Sequence, residues 1–321
     1  MTTSMVAGVE LTASRALLAS LVDYAGLFPP AACSMEEAAR RYASYRQSPQ
    51  AWMLGSFVVP AARLLELEGV LLSIDAVPEQ AWSLSVLVSE RFDQDLEAVA
   101  AARERLGEAA TVAALEVAAL PASTIGALAE RLPGDIPSFF EVPLSSGLSH
   151  GLEERLVGIA AAGSFAKVRT GGLVEDVIPS AQELARFLRA CRDLGVPFKA
   201  TAGLHHAVRG SYPLTYEPAS QRATMHGFLN LLVASLLVAG EEASANRERD
   251  LMAILEEEDA RVFRFSRRGL SWRDREWSLR EMDQVRRGFF FSFGSCSFTE
   301  PVDELSGLGV LDAEGAASVG F

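Results

Sequence analysis

Residues 164–203 read SFAKVRTGGLVEDVIPSAQELARFLRACRDLGVPFKATAG. Two short apolar runs, SFAKVRT and PFKATAG, flank a helical pattern. Leu184, Phe187, Leu188, Cys191 and Leu194 recur at i, i+3, i+4, i+7 and i+10, which is one face of a helix. Ser180 and Glu183 supply a capping box at its start, and Gly195 supplies a stop. Strand, capped helix and strand make one βα repeat of a parallel sheet. Each strand run also carries a lysine, Lys167 and Lys199, a residue seldom buried unless it is paired or working.

The same rhythm extends outward in both directions. Strand-like runs fall at 21–26, 53–60, 83–89, 112–120 and 138–144, and an eighth, GFFFSFGSC, at 288–296. Ser34 and Glu37 form a further capping box. Eight strands with intervening helices predict a (β/α)8 TIM barrel over 1–321, with an insertion at 204–287 between the seventh and eighth strands. Within the insertion, 227–240 predicts an apolar helix and 262–274 a hairpin turning near Arg268-Gly269. That helix has three readings: a helix buried in the fold, a cover for the barrel mouth, or a subunit contact in a homo-oligomer. The small, polar stretch 312–321 is expected to fray.

Composition limits the function classes. The chain has 321 residues, 49% hydrophobic and 22% charged, with 42 acidic against 29 basic residues and a net charge of −13. No basic run marks a nucleic-acid surface, so no nucleic-acid partner is expected. Cys33, Cys191 and Cys296 form no CxxC pair, which suits a reducing cytoplasm. The opening residues show no signal-peptide pattern, and the longest apolar stretch, 14 residues, is too short to span a bilayer. No membrane partner is expected.

Period-two alternation puts Lys167 and Arg169 on one face of their strand, and Lys199, Thr201 and Gly203 on one face of theirs. Both lysines are expected near the C-terminal ends of the strands, where barrels hold their active sites. Neighbouring ammonium groups repel and burial disfavours charge, so one lysine is predicted to have a lowered pKa. A neutral amine is a nucleophile able to form an imine with a carbonyl. The opposing reading makes both lysines structural partners of Glu116 or Glu141, each also in mid-strand.

Arg169, His205, His206 and Arg209 would bring donors to the mouth and predict an anionic substrate. The turn Gly294-Ser295-Cys296-Ser297 opens the last helix, where free N–H groups favour an anion, although Ser297 and Glu300 could cap that helix themselves. His226 and Asn230 are predicted on one helix face, with the insertion carrying His226 toward the lysines. The histidines show no HxxxH or HExxH spacing, so no metal is assigned. Cys296 reads by default as a buried small hydrophobe, with a nucleophile near the strand end as the alternative.

These pieces resemble deoxyribose-phosphate aldolase and its class I aldolase relatives over most of the barrel, the insertion excepted. VDYAGLFPPAACSMEEA resembles that family's opening strand and capped helix, and FVVPAARL its second strand. FAKVRTGG is similar to the motif bearing the Schiff-base lysine, and FKATAGLHHAVR to the motif bearing the second lysine. SFGSCSF is similar to the last strand and its phosphate-gripping turn. The resemblance implies that Lys167 forms the imine, Lys199 tunes it and Asp23 supports it, with no cofactor. The family's catalytic aspartate would fall at Ala118, which leaves its proton work to Glu116, Glu141 or a histidine. Val168 and Arg169 replace small residues beside the imine lysine, and His205 and His206 follow Gly203 where a glycine pair is usual. These departures argue against deoxyribose phosphate itself.

The expectation is therefore a class I aldolase-like lyase acting on a small anionic carbonyl compound. Its rivals are a metal-assisted lyase or hydrolase using His205, His206 and a carboxylate, and a non-catalytic barrel that binds a metabolite.

Overall fold

The computed structural model describes residues 12–73, 81–144, 151–240 and 246–311; the expected fraying of 312–321 lies outside them. The chain starts with α1 (Ala13–Leu18) and β1 (Val22–Tyr24). The βα repeats follow as α2 (Met35–Arg46), β2 (Leu54–Pro60), α3 (Leu64–Ser73), β3 (Trp82–Val88), α4 (Phe92–Leu106) and β4 (Ala110–Val117). Next come α5 (Ala122–Ala129), β5 (Ser138–Val142), α6 (Leu152–Ala161), β6 (Phe165–Arg169), α7 (Ala181–Leu194) and β7 (Phe198–Thr201).

The insertion then contributes β8 (Gly210–Pro213), β9 (Arg222–Met225), α8 (Phe228–Ala239), α9 (Arg247–Leu255), β10 (Phe263–Phe265), β11 (Gly269–Trp272), β12 (Arg275–Ser278) and α10 (Leu279–Gly288). The barrel resumes with β13 (Phe290–Ser295) and α11 (Thr299–Gly307). Strands β1 to β7 and β13 close into one parallel barrel, with β13 between β7 and β1. This is the predicted (β/α)8 barrel with its insertion. Two small antiparallel sheets, β8–β9 and β10–β11–β12, lie in the insertion.

The quoted βα repeat forms as its residues dictate. Ser180 Oγ accepts from Glu183 N–H at 3.2 Å, and the Glu183 carboxylate accepts from Ser180 N–H at 2.7 Å. Leu184, Phe187, Leu188 and Cys191 are buried against the sheet. Gly195 ends the helix at φ +64°, a left-handed conformation glycine adopts without strain. The Ser34 cap is only half of a box, because the Glu37 carboxylate pairs with Arg41 instead.

β6 and β7 pair in register with Lys167 opposite Lys199 and Arg169 opposite Thr201. Beyond them the chain crosses at Gly171 and Gly203. A Cβ on Gly203, at φ +78°, would lie 2.7 Å from Gly171 Cα. The close crossing thus requires glycine, and it sets where His205 enters.

Of the three readings of the apolar helix α8, the structure shows the first, a helix buried in the fold. Every residue from Phe228 to Val238 is buried within the one chain, against α7, α9, α10 and β13. It is the outer-layer helix between β7 and β13, and a helix apolar on all sides belongs where neighbours cover all of them. Its polar members are satisfied: Asn230 Oδ1 accepts from Arg209 N–H at 2.9 Å, and Asn230 Nδ2 donates to Ile254 O at 2.7 Å. Among the described residues no helix is long and apolar enough to cross a membrane.

Candidate active site

Burying a charge is costly unless a counter-charge and hydrogen bonds meet it. Inside the barrel this requirement builds a ladder of alternating sign. Lys199 Nζ, 2% exposed, donates to Asp23 Oδ2 at 2.7 Å and to Glu116 Oε1 at 2.6 Å. Lys167 Nζ lies 3.4 Å from Glu116 Oε2 and 3.0 Å from Glu141 Oε2, and Arg169 Nε lies 3.5 Å from Glu141 Oε1. The order Asp23, Lys199, Glu116, Lys167, Glu141, Arg169 alternates three anions with three cations.

Serines complete the bonding. Ser85 Oγ donates to Glu116 Oε1 at 2.7 Å, Ser292 Oγ to Asp23 Oδ2 at 2.6 Å, and Ser56 N–H to Asp23 Oδ1 at 2.7 Å. Both serine hydroxyls face inward by the same period-two alternation that aims the lysines, yet an isolated serine in a strand carries no sequence signal.

The electrostatics follow from these contacts. Burial alone would push Glu116 up, but the Lys199 and Lys167 ammonium groups outweigh it and hold the carboxyl down to about 2. Burial would lower Lys199, but Asp23 and Glu116 overcome it and raise the lysine above its ordinary value. Glu141 is likewise desolvated yet held low by Lys167 and Arg169. The expected mutual repulsion of the lysines is therefore answered by one shared carboxylate, and Lys199 is the more firmly charged for it.

The lysines also face different ends. Lys167 lines a cavity of about 370 Å³ at the C-terminal mouth, with Glu116, Glu141, Arg169, His205 and Cys296. Leu214, just after β8, and Met225, the last residue of β9, form part of its wall, so the first part of the insertion reaches the mouth. A neighbouring recess of about 310 Å³ on the β2–β4 side shares Lys167, Glu116, Glu141 and Arg169, and Ala118 lies on it. Lys199 instead lines a cavity at the N-terminal end of the barrel, contrary to its expected place at the mouth. Its stem points down toward Asp23 on β1 because that carboxylate and Glu116 are its nearest anions.

At the rim, His205 lies beside Cys296, with Sγ 3.8 Å from Nδ1 and 4.0 Å from Nε2. Glu300 Oε2 lies 3.3 Å from His205 Nδ1, and Tyr216 Oη 3.4 Å from Cys296 Sγ. Burial would lower His205, but Cys296 and Glu300 raise it to about 9. Burial would raise Cys296, but the imidazole brings it below its ordinary value. Cys296 is buried, as the default reading expects, but it sits beside a charged imidazole and not among apolar side chains alone. The Glu300 carboxylate goes to His205, so Ser297 makes only the forward half of the cap, accepting from Glu300 N–H at 3.2 Å.

Comparison with known proteins finds no family model, no curated protein and no solved structure that matches the chain. Its chemistry therefore rests on its own geometry.

Of the other expected site residues, Gly203 and Gly294 line the mouth cavity, and Ser295 Oγ lies 3.3 Å from His205 Nδ1. Three residues turn away from it. His206 Nδ1 meets Glu304 Oε1 at 2.5 Å and its ring stacks on Tyr212. Arg209 pairs with Glu258. His226 precedes α8 instead of lying on it, and its Nε2 meets Pro179 O at 2.6 Å. The insertion does not carry it to the lysines. Among the described residues no group of three or more His, Cys, Asp or Glu is arranged to hold a metal.

Proposed function

We propose that the chain is a class I aldolase-like lyase that forms an imine between Lys167 and a small anionic carbonyl compound. One observation carries this reading: Lys167 Nζ, at the mouth of a barrel, is ion-paired with two carboxylates and lines a cavity of ligand size. Glu141, 3.0 Å away, takes a proton from the ammonium. The freed amine attacks the carbonyl carbon, and the carbinolamine loses water as a carboxyl returns the proton. A carboxylate then takes the β-hydroxyl proton, the C–C bond breaks to release the first product as an aldehyde or ketone, and the iminium accepts the electron pair as an enamine. Protonation of the enamine and hydrolysis of the regenerated imine release the second product and the lysine. The iminium is the electron sink, so the reaction needs no cofactor.

Arg169 and the His205 imidazolium supply positive charge at the rim for the anionic end of the substrate. Glu116 takes the place of the missing fourth-strand aspartate, since Ala118 cannot move a proton. The reading fits a soluble cytoplasmic enzyme whose three cysteines stay free.

The closed ladder favours one alternative. An ammonium already met by two carboxylates is what a barrel that binds an anion without chemistry would also contain. Reductive trapping with borohydride separates the two: an enzyme of the proposed kind retains a carbonyl probe on Lys167, and a binding barrel retains none.

A further inference from the structure

The N-terminal end of the barrel holds a cavity of about 930 Å³, larger than the one at the mouth. Barrel interiors are ordinarily filled there by layers of bulky branched side chains. Here the inward positions are small: Ser56, Ser83, Ser85, Ala114 and Ser292 all line the void. Its volume falls within the range of about 300–1,000 Å³ typical of small-molecule sites.

The walls are chemically uneven. Phe139, Phe165 and Phe291 form one side, with Phe139 and Phe165 stacked at 5.1 Å and Phe291 edge-on to both at 5.9 and 5.4 Å. Cations dominate the remainder in a chain of net charge −13: Arg15, Arg286, Arg287 and Lys199 against Asp23 and Asp283. Asp283 is taken by Arg287, and Asp23 by Lys199. Arg286 differs from the other cations. It is 9% exposed, and its guanidinium donates to the backbone carbonyls of Ala19, Phe290 and Phe291 and, among the described residues, to no carboxylate. Its buried Nε–H has no acceptor among the described residues. Burial pulls this arginine down to about 10, with Asp23 acting against it from a distance. A buried guanidinium with only carbonyl partners leaves a positive field that an anion would satisfy.

We infer that this N-terminal cavity is a second ligand site, separate from the mouth, that takes a small aromatic carboxylate. The ring packs against the three phenylalanines, where offset and edge-on contacts favour an aromatic guest. The carboxylate faces the Arg286 end, and the serine hydroxyls between them offer further donors.

The probe is 4-fluorophenylacetate, followed by fluorine NMR and calorimetry on the full chain. The expected result is saturable one-to-one binding, with the neutral 4-fluorophenylacetamide weaker by about tenfold or more, because the amide leaves the guanidinium unanswered. Ala114→Leu, which fills the void, and Arg286→Met, which removes the charge, each weaken the acid by about the same factor, while Arg169→Ala at the mouth leaves binding unchanged. The acid–amide comparison needs no variant, so it decides the matter even if a substitution unfolds the chain. Absence of saturable binding at millimolar probe, equal affinity for acid and amide, or loss of binding in Arg169→Ala with retention in Ala114→Leu would overturn the inference.

Discussion

Lys199 bonds one oxygen of Glu116 at 2.6 Å, while Lys167 lies 3.4 Å from the other oxygen of the same carboxylate. Glu116 therefore joins a buried lysine facing the N-terminal cavity to a buried lysine that lines the mouth. Anything done to one member of the ladder is felt by its neighbours, and this makes the account testable by separate substitutions.

Removing Lys199 strands two buried carboxylates. Lys199→Met is expected to cost about 3–5 kcal/mol of stability, because Asp23 and Glu116 would each lose their closest cation. Urea denaturation checks this. A triple change, Lys199→Met with Asp23→Asn and Glu116→Gln, leaves no charge stranded and should recover part of the loss. A single change costing nothing measurable would mean the ladder is not a coupled unit.

Acid should undo the ladder from Glu116. Its folded-state pKa, about 2, lies below the ordinary 4.5, so its contribution is fully present above about 4.5 and is lost as pH falls toward 2. A shift of that size corresponds to about 3 kcal/mol. Lys199, raised in the folded state, contributes below the ordinary lysine value and loses that contribution only in strong alkali. Glu116→Gln should therefore flatten the pH dependence of stability between pH 4.5 and 2. An unchanged acid limb would contradict the assignment.

Cys296 should be the most reactive of the three thiols. His205 holds it low, whereas burial pushes Cys191 well up. Iodoacetamide at pH 7 is expected to label Cys296 first, and His205→Ala to slow that labelling by about tenfold for each unit its pKa rises. The wild-type rate should change as pH passes about 9, where His205 loses its proton. Peptide mass mapping with time reads both; a rate indifferent to His205 would refute the pairing.

Much of this was legible in one dimension. The 30-residue recurrence of strand and capped helix is local chemistry, so the barrel could be read from Ser180, Glu183, Gly195 and their counterparts. Period-two alternation likewise placed Lys167 and Lys199 inward and in register. Side-chain direction was less accessible. Lysine has a four-carbon stem, and whether Lys199 reaches up or down depends on Asp23, 176 residues away. His205 and His206 are adjacent yet diverge, one to Cys296 and the other to Glu304, partners 91 and 98 residues away that local patterning cannot name. The 227–240 run was correctly a helix, but a buried outer-layer helix and a subunit contact have the same composition. His226 was misplaced because α8 begins at Phe228, after Gly227.

Arg169 should recognise charge and not the carbonyl. It lines the mouth and is half exposed, paired to Glu141 at 3.5 Å. Arg169→Ala is expected to raise the concentration of glyoxylate needed for half-maximal trapping by about tenfold, and to leave that of propanal unchanged. Equal effects on both probes would remove Arg169 from anion binding.

The central claim is that Lys167 forms the imine, and reductive trapping tests it most directly. The protein is incubated with glyoxylate or propanal and borohydride, digested, and its peptides weighed. The account predicts one added mass, carried by the peptide containing Lys167, absent without carbonyl compound and absent in Lys167→Ala, whose folding is checked by circular dichroism. An adduct on Lys199, adducts spread over surface amines, or no adduct on a folded wild-type chain would contradict it.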